Sequence, residues 1–368
     1  MKKAISLIVT VMFVTTCLGA IALAADLPTW SRSALWNPDY AKLIDTSKYK
    51  KDPPYRLAYA NVSVSNSYGV LTQLEFKARC DTYGDMIKEY FVTDAQDRPE
   101  KQISDIEDLV TKGIDLIIVR AATEAALDPV ITRLHKQGYP IICFARRVKS
   151  DNFVSFVTQS LKAEGRMQAI WLCEMLKGKG NIVILPGKVG SGSTEERKRA
   201  YYDTLQYYPG IKVLDEQYTQ YSSAVAKKVM ATMIQKFGDK IQGVLTDTGL
   251  QGRGAIEALH EAGLKIPITA DMVNGYMKRV KNWGYPALAT SYSPALGGDS
   301  VDAAMKILQG IPVPFEYEMP RVVATTVDTM TVKGEVPWDA HTFMDKGDDL
   351  YTDLSECMMN SKYMNELK

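Results

Sequence analysis

Polar side chains that follow directly on apolar, strand-like runs are free to do chemistry, because no secondary structure needs them there. Asp271 closes the run Pro267-Ile268-Thr269-Ala270. Its carboxylate can accept two hydroxyl hydrogen bonds, or it can cap the helix that follows. Asn274 comes at the next turn and can serve either a bound molecule or that turn. Arg146 follows Pro140-Ile141-Ile142-Cys143-Phe144 with no carboxylate close by in sequence, and a guanidinium offers a fork of donors. Its neighbour Arg147 reads as solvated. Asn66 and Tyr68 follow the run Arg56–Ala60. They bring an amide and a ring that can cover an apolar face or pack at the start of its own helix. Tyr221 can supply a second aromatic from later in the chain. Such a set suits the holding of a hydroxyl-bearing molecule.

The residue types for bond-making chemistry are sparse. The three histidines, His135, His260 and His341, stand alone, which weakens a histidine base or a zinc site. No Ser-His-Asp arrangement is apparent. Gly187-Lys188-Val189-Gly190-Ser191-Gly192-Ser193-Thr194 invites a phosphate-loop reading but lacks the Gly-Lys-Ser/Thr ending. It reads instead as the loop before a helix, with Ser193 or Thr194 as cap and Glu196 in the first turn. Cys143 and Cys173 lie in apolar patterns and read as small buried hydrophobes. No enzyme, cofactor or metal is expected.

The elements that position these residues alternate. Strand-like runs at 56–60, 90–92, 115–119 and 140–144 are separated by helical periodicities at 68–83, 103–110 and 127–137. The cycle then restarts, with strands at 181–185, 212–214, 243–246, 267–270 and 287–292 among helices at 162–176, 195–207, 224–237, 252–262 and 298–308. Near-continuous apolar runs such as Leu116-Ile117-Ile118-Val119 mark strands buried on both faces, and alternation with helices argues for parallel sheets in an α/β fold. Two such units of similar plan would set their strand ends, where open sheets bind ligands, on opposite sides of one cleft.

Lys2 and Lys3, an apolar run from Ala4 to Val14 and the small-residue site Ala22-Leu23-Ala24 read as a signal peptide cleaved before Ala25. Its removal takes the formal charge from +1 to about −1. That balance carries no footprint for nucleic acid or an acidic membrane. The roughly 340 residues that remain exceed what one core supports, so two domains are expected. Residues 25–54, with Trp30 and Trp36, read as an extension packed on the surface.

Several ordered segments are similar to the sugar-type, ribose-binding-like periplasmic binding proteins of ABC importers, over about Arg56 to Pro314. They are Ser65-Asn66-Ser67-Tyr68, Ile142–Arg147, Gly178–Val183 with Pro186-Gly187 and Glu196-Arg197, Gly254–Leu259 with Ala262-Gly263, Asp271–Gly275, and Gly310–Pro314. The resemblance implies a type I fold of two Rossmann-like lobes with parallel sheets, joined by a three-strand hinge and closing on a ligand. It places the first lobe at 55–150 plus about 265–292, the second at 151–264 plus about 293–333, and a tail at 334–368. Crossings are expected near Arg147–Ser155, Leu264–Met272 and Tyr292–Pro294. It also implies that Arg146 and Arg197 face the ligand, although the run Glu195–Arg199 by itself reads as a charged helix surface. Tyr292 would make a hinge-side contact. Ala145, Gln159 and Thr248 stand where relatives carry Asp, Asp and Asn. The implied pocket is therefore more positive than a pentose or hexose site, with room for an acidic or phosphorylated derivative or an autoinducer-like furanose. The implied partners are a small sugar-like ligand and ABC permease subunits, or else a histidine-kinase or chemoreceptor ectodomain. The protein would be a periplasmic monomer. The tail, with Trp338 and Tyr351, would either form the partner surface or pad the lobes.

Overall fold

The computed structural model describes residues 42–319 and 321–367. The expected signal peptide and the tryptophan-bearing part of the extension lie outside them. The chain begins with a short strand, β1 (Leu43–Ile44), and then alternates. In the first half, β2 (Tyr55–Asn61), α1 (Ser67–Thr82), β3 (Ile87–Asp94), α2 (Pro99–Thr111), β4 (Leu116–Val119), α3 (Glu124–Lys136), β5 (Ile141–Phe144) and β6 (Ser155–Thr158) follow one another. The second cycle is α4 (Leu161–Met175), β7 (Lys179–Leu185), α5 (Gly192–Leu205), β8 (Gly210–Glu216), α6 (Ser223–Phe237), β9 (Gly243–Thr246) and α7 (Gly249–Glu261). It continues through β10 (Ile268–Asp271), α8 (Asn274–Trp283), β11 (Ala287–Thr290) and α9 (Leu296–Leu308). Short strands β12 (Val313–Pro314), β13 (Glu316–Glu318) and β14 (Val323–Thr325) lead to a tail holding α10 (Glu356–Met359).

Two six-stranded sheets result. The first has the order β13-β6-β5-β4-β2-β3, with every neighbouring pair parallel. The second has the order β14-β11-β10-β9-β7-β8 and is parallel except for β14. β4 and β5 are buried along their whole length, as expected of strands covered by helices on both faces. α9 lies against α1, and a glycine permits the approach: a Cβ on Gly297 would meet the Thr72 carbonyl oxygen at 2.2 Å.

The pairing corrects the expected lobe boundaries. Strands at 268–271 and 287–290 pair with β9 and with each other, so they belong to the second lobe. α9 and β13 belong to the first. Residues 145–154 do not cross; they return to β6, whose pairing with β5 keeps it in the first sheet. The chain passes between sheets after Thr158, after Thr290 and after Glu318. β6, β13 and β14 carry no long apolar run, so only their ladder partners define them.

The tail spans both lobes. Trp338 packs on Tyr276 and donates to the Met277 carbonyl, and Asp348 pairs with Lys278 and Arg279, all in the second lobe. Further on, Ser355 bonds Glu75, Tyr363 bonds Asp81, and Met358 is buried in the core of the first lobe. Cys80, Cys143 and Cys173 are buried thiols, and none of the described cysteines is bonded to another.

Candidate functional site

A cavity lies between the lobes, at the ends of β5, β9 and β10. Asn66, Tyr68, Arg120, Ala145 and Arg146 line it from the first lobe, and Ser193, Arg197, Tyr221, Thr248, Leu250 and Asp271 from the second. Tyr292, from the second crossing, and Tyr351, from the tail, complete it.

The first-lobe wall is cationic. Asn66 caps α1 by accepting the Gly69 N–H at 3.0 Å, which leaves its amide NH2 available. After β5 the backbone turns sharply at Ala145, with φ at +55° and the Arg146 N–H donating back to the Phe144 carbonyl. The Tyr292 hydroxyl donates to the Ala145 carbonyl at 2.9 Å and ties this turn to the second crossing. Arg146 makes no side-chain hydrogen bond or ion pair with the described residues. Burial, and then the nearby charge of Arg120, push its pKa below the usual range. Arg120 donates to Asn61 Oδ1 at 3.1 Å and lies over the Tyr68 ring, yet its Nε has no partner among the described residues.

The second-lobe wall is balanced. Arg197 is held by Glu164 at 2.8 Å and Asp247 at 2.9 Å, with only 2% of its side chain exposed. Burial opposes its charge, but those two carboxylates outweigh burial and hold its pKa well above the ordinary value. Asp247 also accepts from the Gly187 N–H and from Thr194. The loop at Gly187 passes so close that a Cβ there would meet Tyr221 Cε1 at 2.2 Å. The Tyr221 hydroxyl is shared with Ser191, Ser193 and Thr194. Asp271 accepts the Gly249 N–H at the start of α7, while its Oδ2 is buried and has no partner among the described residues. Burial first, and then the charge of Glu164, raise its pKa well above the carboxylate range.

Aromatic rings cover one side. Tyr68 stacks on Tyr292 with centroids 5.7 Å apart, and Tyr351 meets Tyr68 edge-on at 5.2 Å.

The structure gathers eight of the ten expected residues around one cavity: Asn66, Tyr68, Arg146, Arg197, Tyr221, Thr248, Asp271 and Tyr292. Two lie elsewhere. Gln159 bonds the Ser291 hydroxyl and accepts the Ser293 N–H, so it pins two crossing segments together. Asn274 gives its NH2 to the carbonyls of Phe343, Lys346 and Gly347 and accepts the Phe343 N–H, anchoring the tail. The cap of α5 is Ser191, two and three residues before the expected Ser193 and Thr194. Asp271 does not cap α8, whose N-cap is Val273. Arg120 was not singled out because it follows β4 as an isolated cation. Tyr351 sits in an aperiodic tail, where nothing local signals a cavity.

Residues 57–312 match the model of the periplasmic binding protein domain. The xylitol-binding protein of Mycolicibacterium smegmatis is 27% identical, over 86% of this chain and 88% of that one. Among solved structures, the fructose-binding periplasmic domain of a hybrid two-component system superposes with a TM-score of 0.67 at 25% identity, covering 74% of this chain and 91% of that domain. The periplasmic component of an arabinose ABC transporter from Shewanella sp. ANA-3, bound to L-arabinofuranose, also gives 0.67 at 25% identity, over 73% and 91%. The chain belongs to the periplasmic binding protein family.

Proposed function

We propose that this family member is an exported, non-catalytic solute-binding protein that closes its two lobes over a small polyhydroxylated ligand and delivers it, as a monomer, to an ABC permease. The observation that carries this reading is that Asp271, whose Oδ2 has no partner among the described residues, lines the same cavity as Arg146, with Tyr68 and Tyr292 stacked in that lining. A carboxylate oxygen and a guanidinium take hydroxyls from opposite walls, so a bound ligand bridges the lobes and favours the closed arrangement. The three interlobe crossings supply the hinge. The xylitol-binding relative and the arabinofuranose-bound structure support a polyol or sugar as ligand.

Native mass spectrometry of the purified protein, followed by a thermal-shift panel of sugars, polyols and their derivatives, tests the reading. A retained small molecule or a ligand-dependent rise in Tm is expected. A protein that carries nothing and shifts with no member of the panel refutes it.

A second reading, ligand sensing, is favoured by the likeness to a domain of a two-component system. Stimulation of a reconstituted ABC permease complex by the loaded protein supports transport. Failure there, together with ligand-dependent binding to a kinase ectodomain, supports sensing.

A further inference from the structure

The charges lining the cavity do not cancel, and the imbalance is confined to one wall. Three arginines line it, Arg120, Arg146 and Arg197, against one acidic residue, Asp271. Arg197 is neutralised from behind by Glu164 and Asp247. No carboxylate lies within ion-pair distance of Arg120 or Arg146 among the described residues, and the partners of Arg120 are the amide oxygen of Asn61 and the Ser63 carbonyl. Asp97, which attracts Arg146 from a distance, is exposed and bonded to Ser65. Two guanidiniums crowded on one buried wall, one with a donor unused and the other with its whole fork unused, repel each other until an anion joins them.

We infer that the ligand carries a carboxylate, docked on Arg146 and Arg120, and that its hydroxyls reach across to Asp271. The class is a sugar acid or polyol acid, and the inference rests on the solute-binding reading above. The opposite wall sets the polarity of the ligand. Asp271 Oδ2 is an acceptor, or a neutral carboxyl when protonated, and either form suits a hydroxyl and disfavours a second anionic group. The planar fork of a guanidinium matches a carboxylate in two parallel hydrogen bonds. Tyr68, stacked against Tyr292 and lying under Arg120, adds aromatic carbon to the same lining.

Ala145 provides the discriminating variant. It lines the cavity beside Arg146, and its φ of +55° is a conformation that Asp and Asn adopt more readily than most side chains. An aspartate there would put a carboxylate where the inference places that of the ligand, while an asparagine would add similar bulk without charge.

Isothermal titration with matched pairs tests this: xylonate against xylitol, galacturonate against galactose, gluconate against glucitol, with glucose 6-phosphate as the other kind of anion. In at least one pair the acid should bind tenfold or more tightly than its neutral partner, with an affinity that falls as salt rises. Ala145→Asp should weaken the acid at least tenfold while leaving or raising affinity for the neutral partner, and Ala145→Asn should not produce that reversal. Arg146→Met should weaken the acid far more than the neutral compound. Each variant should keep the wild-type melting profile. Tighter binding of the neutral member in every pair that binds overturns the inference and leaves the solute-binding reading intact. Binding of the phosphate alone overturns the carboxylate assignment. If no probe binds and none shifts Tm, both readings fall.

Discussion

The guanidinium of Arg197 lies 2.8 Å from the carboxylate of Glu164, and both side chains are sealed from solvent beneath the cavity. Glu164 also accepts from Thr290 at 2.8 Å and stands 3.5 Å from Arg321. Breaking a buried pair strands a charge, and this typically costs about 3–5 kcal/mol. Asp247 remains with Arg197, so Glu164→Gln is expected near the lower end, a loss of about 3 kcal/mol in urea unfolding. An unchanged unfolding midpoint would show that the pair is not a structural brace.

Asp353, in the tail beside Ser293, gives the stability a pH dependence. Burial pushes its pKa up to about 7, against the pull of its own backbone N–H. Because the folded pKa exceeds the unfolded one, the contribution of this group is fully present below the ordinary carboxyl range and is lost as pH rises through about 7. Asp299 is raised to about 7 by burial as well and acts in the same direction. Asp353→Asn should flatten the fall in Tm between about pH 4 and pH 7 and melt higher than the wild type at the upper end. A variant whose Tm follows the wild-type curve in parallel would contradict the assignment.

Gly69 positions the cationic wall by its lack of a side chain. A Cβ there would meet the Ser63 carbonyl oxygen at 2.0 Å and Arg120 Nη1 at 3.1 Å. Gly69→Ala must shift backbone as well as a side chain, so a loss of about 1–3 kcal/mol is expected, with weakened ligand binding. Equilibrium unfolding and titration calorimetry measure the two effects. Wild-type values in both would mean that the first turn of α1 can yield freely.

Asn274 tests the tail. Its NH2, shared among three carbonyls, and its Oδ1, which accepts the Phe343 N–H, predict that Asn274→Ala loosens residues 343–347 and costs about 2 kcal/mol, while the cavity lining is untouched. Limited proteolysis should become faster within about 336–350. If proteolysis stays slow and ligand affinity collapses instead, the sequence-based placement of Asn274 in the site would be restored.

Tyr351 tests the tail's part in binding. Truncation of Tyr351 to Ala removes an edge contact to Tyr68 and opens one wall, so affinity should drop about tenfold. Tyr351→Phe should retain most of it. Equal affinity in both variants would confine the tail to a structural role.

The parts of this molecule that could be read from its sequence are those whose physics is local. β4, β5 and β10 are short apolar runs because helices cover both faces of their sheets, and a polar residue ending such a run has few structural duties. Arg146 and Asp271 were legible for that reason. Asn274 matched by type and place, yet three carbonyls of a distant loop satisfy its amide, and no local pattern announces that loop. Lobe membership failed in the same way. Whether Ile268–Asp271 pairs with β9 or with the first sheet is a question of ladder hydrogen bonds between remote segments. Gln159 stands outside the cavity lining because its partners, Ser291 and Ser293, come from another crossing.

The interleaving of the chain bears on how the molecule comes to exist. Glu316 pairs with Phe156, Thr325 with Leu288, and Thr352 donates to Met272, so the edge strand of each sheet and one wall of the cavity arrive late in the chain. Contacts that close long loops set the folding barrier. A chain cut near Thr290 would leave the first sheet without β13 and the second without β14, each with an open edge that invites association. Neither lobe is therefore an independent folding unit. Ligand competence should appear in one late step, after both sheets have acquired their final strands.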